Sequence, residues 1–70
     1  MIRQSVSSSN LRSVGYDSDQ LILEIEFHES GVYQYFGVPE RVFKGLMSAQ
    51  SIGSFFNQDI KDNYRYTKTR

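Results

Sequence analysis

Tyr33 and Tyr35 stand two residues apart in Gly31-Val32-Tyr33-Gln34-Tyr35-Phe36-Gly37-Val38-Pro39, and on an extended strand that spacing puts both phenol rings on one side. Rings so placed can stack against single-stranded bases. A second set lies in the last ten residues, where Lys61, Arg65 and Lys68 interleave with Tyr64 and Tyr66. Cations beside an aromatic ring are what an RNA backbone and its bases require, so Lys61, Arg65 and Lys68 are the candidate phosphate contacts and Tyr66 the candidate stacking ring. Each set also has a plainer reading. The tyrosine pair can fill a small core with its hydroxyls at the rim, and the tail can be an edge strand with packed tyrosines and solvated charges.

Catalytic chemistry finds little support. His28, the only imidazole, neighbours Glu29 and Glu26, but nothing local supplies a nucleophile or substrate for it to act on, nor the nitrogen or sulfur companions zinc needs. Glu24 and Glu26 lie roughly 7 Å apart on one strand face, a glycosidase-like separation with no cleft implied. The serines match no His/Asp constellation, and no glycine-rich phosphate loop is present. The expectation is a non-enzymatic protein with no cofactor, no metal and no small-molecule substrate.

Seventy residues make one domain, which at this size buries only about 60 per cent of the surface its unfolded chain exposes. Five Phe and five Tyr are the available bulk, and Phe27, Tyr33, Tyr35, Phe43 and Phe56 are the expected core aromatics. The chain has no cysteine, which removes disulfides and thiolate chemistry. It also has no apolar run approaching about 18 residues, so the expected setting is the cytoplasm, without a membrane. Formal net charge is zero but unevenly spread. Asp17, Asp19, Glu24, Glu26 and Glu29 fall in a stretch without a basic residue, whereas the last ten residues set Lys61, Arg65, Lys68 and Arg70 against Asp62 alone. A polyanion would be drawn to the second region and repelled by the first.

Positioning these residues requires a particular set of elements. Ser7-Ser8-Ser9 reads as flexible, with residues 1–7 a lead-in, 8–67 the domain and 68–70 a short basic tail. Leu11 to Tyr16 is a weak strand, in which Gly15 marks a bulge or a close backbone approach. Leu21, Leu23, Ile25 and Phe27 alternate with Ile22, Glu24, Glu26 and His28, the period of a half-buried strand. A three-residue loop at Glu29-Ser30-Gly31 would place Phe27 opposite Tyr33 and Ile25 opposite Tyr35, with the tyrosines on the apolar side. A two-residue loop would pair Phe27 with Val32 and turn them to the acidic side; the first places glycine where positive φ is needed.

Pro39 suits a helix's first turn and Glu40 its positive end. Val42, Phe43, Leu46, Met47 and Ala49 then repeat at helical spacing to about Gln50. Ser54 is the expected cap of a shorter helix running to about Asp62, with Phe55, Phe56 and Ile60 inward. Tyr64 to Thr67 reads as a terminal edge strand. The fold class is α+β: a three-stranded antiparallel meander, one main helix, a short second helix and a terminal edge strand.

Several of these stretches resemble the KTSC domain, a small bacterial family named for its occurrence at the carboxyl end of some lysyl-tRNA synthetases and also found alone. They are Gly15-Tyr16-Asp17, Leu23 to Phe27, Gly31 to Tyr35, Val38-Pro39, Ala49-Gln50-Ser51-Ile52-Gly53, Phe56-Asn57 with Ile60, and Tyr64-Arg65-Tyr66. The resemblance implies a small α+β domain of unsettled activity, with RNA binding attached to the synthetase context. The position before the Ser-x-Gly glycine, often basic in this family, is Ile52 here, so a phosphate contact at that point is absent. RNA is accordingly the first expected partner. A protein bound at the acidic strand face or a sheet edge is the second.

Overall fold

Alternation of apolar and polar side chains organises the chain outside its helical segments. The computed structural model, which describes residues 1–70, has five strands: β1 (Arg3–Ser5), β2 (Leu11–Asp17), β3 (Ile22–Phe27), β4 (Gly31–Phe36) and β5 (Arg65–Lys68). They form one antiparallel sheet in the order β1-β2-β3-β4-β5. Two helical segments, α1 (Glu40–Ser48) and α2 (Ile52–Phe55), lie between β4 and β5, and α2 runs directly into a π-helical turn at Phe56–Ile60.

The α+β architecture and the antiparallel meander stand, but the strand count is five rather than four. The added strand lies within the segment read as a lead-in. Arg3-Gln4-Ser5 carries no apolar alternation because its partner β2 supplies the pairing: Arg3 lies opposite Gly15 and Ser5 opposite Ser13. Gly15 is a point of close approach, since a Cβ there would stand 2.9 Å from the Ile2 carbonyl oxygen. The bulge in β2 falls earlier, between Leu11 and Ser13, and it shifts the two-residue period so that Leu11 and Val14 both point into the core.

In the β3–β4 hairpin the loop is His28-Glu29-Ser30, Gly31 has φ +92°, and the pairs are Phe27↔Gly31, Ile25↔Tyr33 and Leu23↔Tyr35. The register is therefore two residues from the expected one. A shift of two preserves which face each side chain occupies, so Tyr33 and Tyr35 lie on the same side as Ile25 and Phe27. The chain end also pairs here: the Val32 N–H donates to the Arg70 carbonyl at 3.1 Å and the Thr69 N–H to the Val32 carbonyl at 2.7 Å.

Pro39 is the N-cap residue of α1 rather than part of its first turn, and the helix stops at Ser48. The cap of α2 is Ser51, not Ser54. Its hydroxyl accepts from the Ser54 N–H at 3.3 Å, and Ser54 lies within the helix. Leu11, Val14, Leu23, Ile25, Tyr35, Val38, Leu46, Phe56 and Ile60 form the buried core between the sheet's inner face and the helices. Phe43 stacks on Tyr16 with ring centres 4.8 Å apart, closing the β2 side, while Phe56 and Ile60 close the side over β3 and β4.

Candidate functional site

The inner face of the sheet is not wholly covered by the helices. Beyond the end of the π turn an open groove of about 380 Å³ remains, at the small end of the roughly 300–1,000 Å³ range of ligand pockets. Five rings line it, and strand alternation explains four of them. Phe27 comes from β3, Tyr33 and Tyr35 from β4, and Tyr66 from β5, where it lies opposite Tyr35. Phe56, first residue of the π turn, is the fifth.

These rings touch in sequence. Phe27 meets Tyr33 and Phe56 edge to face with centres 5.5 and 5.4 Å apart. Tyr35 meets Phe56 at 5.4 Å and Tyr66 at 5.5 Å, and Tyr33 meets Tyr66 at 5.8 Å. Tyr35 and Phe56 form the buried floor, Phe27 and Tyr33 are half-buried walls, and Tyr66 is 58% exposed at the mouth. Burial, followed by the nearby Tyr66 and Tyr33, pushes the Tyr35 phenol up to about 12. Phe43 lies away from the groove, against Tyr16.

The polar lining comes from three places. The π turn closes with the Lys61 N–H donating to the Phe56 carbonyl at 2.9 Å, and it brings Asn57, Lys61 and Asp62 to the rim. The loop before β2 contributes Ser9 and Asn10, and the β3–β4 hairpin contributes His28 and Glu29. These two loops are joined: His28 Nε2 is 3.0 Å from the Ser8 carbonyl, and the His28 N–H donates to the Asn10 carbonyl at 3.0 Å. His28 thus holds a wall in place. No group of three or more His, Asp or Glu side chains is arranged to hold a metal ion.

Of the four residues read from the tail as RNA contacts, three gather on this side. Lys61 and Tyr66 line the groove, and Lys68 Nζ stands 6.0 Å from the centre of the Tyr33 ring. Arg65 pairs opposite Phe36, and alternation along β5 turns its side chain to the other face of the sheet. Asn10 and Asn57 were not legible as site residues, because they meet only through the tertiary fold and no local spacing links them.

That outer face carries the acidic pair, and its charges are already engaged. Arg3 Nη1 lies 2.6 Å from Glu24 Oε2. Arg3 also donates through Nε to Ser13 Oγ at 2.9 Å, and Ser13 donates to Glu26 Oε1 at 2.9 Å. Gln34 donates to the other Glu24 oxygen at 2.9 Å. Burial alone would raise the Glu24 carboxyl, but hydrogen bonds from Gln34 and Arg3 and the Arg3 charge outweigh it and hold the group below its ordinary value. The partner missing from the surrounding sequence comes from β1.

The KTSC domain pattern matches residues 7–64. The chain is similar to the crystal structure of a KTSC domain protein from Yersinia pestis, with a TM-score of 0.97 and 51% identity over 99% of this chain and 97% of that one. An uncharacterized protein of Stutzerimonas stutzeri is 48% identical over 94% of both chains. A lysine–tRNA ligase of Nostoc punctiforme is 36% identical over 83% of this chain, a stretch that amounts to 10% of the ligase.

Proposed function

The chain belongs to the KTSC domain family, and from that premise we propose that it is a non-enzymatic module that binds single-stranded RNA weakly through the aromatic groove. The observation that carries this reading is the run of five touching rings with Lys61 on its rim and Lys68 above Tyr33. Rings offer stacking to any base, and the two ammonium groups offer contacts to the phosphates beside it. The ligase relative lends support, since its name includes tRNA and a region like this chain forms part of it. Glu29 and Asp62 on the same lining offset the two lysines, which keeps the affinity low.

A titration of the isotope-labelled domain with short single-stranded RNA at two salt concentrations tests the reading. Amide shifts should centre on the residues lining the groove. Tyr66→Ala should weaken binding by about 1–3 kcal/mol, the usual contribution of one base–ring stack. Lys61→Ala should lower the slope of log affinity against log salt by up to about 1, whereas Arg65→Ala, on the opposite face, should leave both quantities nearly unchanged. Shifts absent at every RNA concentration would remove the reading. With a concentration-dependent mass alongside, they would favour a protein partner at a sheet edge, because Glu24 and Glu26 on the outer face are already bound to Arg3 and Ser13.

A further inference from the structure

The groove carries groups that can tell bases apart as well as rings that accept any of them. Of the three asparagines, Asn63 donates its carboxamide to the Asp59 carbonyl at 2.8 Å. Asn10 and Asn57 line the groove, and their carboxamides are tied to no other group of the chain. Asn57 and Lys61, four positions apart on the same helical segment, share one wall of the groove with the Phe56 ring. Glu29 and Asp62, on the same lining, can only accept hydrogen bonds when ionised.

We propose that the groove selects adenine and that Asn57 is the residue that reads its edge, an inference that rests on the single-stranded RNA reading above. A carboxamide presents a donor beside an acceptor and needs the complementary pair on the base. Adenine offers that pair on both of its open edges, N6–H with N7 and N6–H with N1, so it can stack in either orientation and still be held. Adenine is also the one RNA base without a carbonyl oxygen. Uracil, cytosine and guanine each bring a carbonyl acceptor towards a lining that already holds two carboxylates. A purine further offers the larger surface to Tyr66 and Tyr33.

Oligoadenylate and oligouridylate of equal length, each followed by fluorescence anisotropy, provide the test, with AMP and UMP followed by amide shifts as a second arm. Oligoadenylate should bind about tenfold more tightly than oligouridylate, the discrimination expected of one well-made base-edge contact. Asn57→Ala should bring that ratio close to one, chiefly by lowering the affinity for oligoadenylate. Asn57 is exposed, so the variant should keep the fold, and its amide spectrum verifies this. Equal affinities in the unmodified protein, or a preference that survives Asn57→Ala, would overturn the inference and leave RNA binding intact. Groove shifts with AMP but not UMP, in a protein that binds neither oligomer, would support adenine selection and remove the RNA reading. Silence with every probe would end both.

Discussion

Glu24 joins the outer face of the sheet to the segment that precedes it. Because its carboxyl is held below the ordinary value, it is a titrating contributor to stability. The folded-state value lies below the unfolded one, so the contribution is complete above the ordinary carboxylate value of about 4.3 and is lost as pH falls through the folded value. The thermal midpoint of the unmodified protein should therefore fall on acidification through that range. Glu24→Gln should be less stable at neutral pH and show a flatter acid limb; equal acid limbs would mean that Glu24 does not govern this dependence. At this scale the chemistry of Glu24 was legible from the sequence, but its partner was not. Arg3 lies 21 positions away in a segment whose polar residues showed no strand period.

Elements were most legible where one face is dry and the other wet. β3 follows strict alternation and matches its expected extent within a residue at each end, whereas the bulge after Leu11 interrupts the period of β2 and made that strand weak to the eye. The hairpin shows which part of a register sequence logic fixes firmly. Burial of one face enforces the parity of the pairing, while a slip of two residues depends on the loop itself, here His28 to Ser30 with Gly31 at positive φ just after it. Caps are a finer matter. Both Ser51 and Ser54 have the right chemistry, and only the position of the first helical turn chooses between them. Ser51→Ala should cost about 1 kcal/mol in chemical denaturation, and Ser54→Ala should cost roughly 0.5 kcal/mol or less. The reverse order would return the cap to Ser54.

At the scale of the whole molecule, a 70-residue chain lets the same rings serve as core and as groove floor. Phe56 is packed against Phe27 and Tyr35 and almost fully buried, so Phe56→Ala should cost about 3–5 kcal/mol, a large share of the stability available to a domain this small. Circular dichroism at ambient temperature should show a largely unfolded population; a cooperative transition near that of the unmodified protein would contradict the packing. The groove itself was hidden in the sequence because its lining is drawn from an early loop, a hairpin, a helical turn and the last strand, which only the complete topology brings together. That topology gives β5 a neighbour on one side only, and its connection to β4 passes through both helical segments. Peeling of this outermost strand would carry Tyr66 and Lys68 away together and dismantle one wall while the remaining four strands stay paired. Occupancy of the groove should then act as a latch: backbone amides of β5, and that of Val32 beside it, should exchange with deuterated solvent more slowly when a ligand is bound, while exchange at the β2–β3 pairing stays as it was.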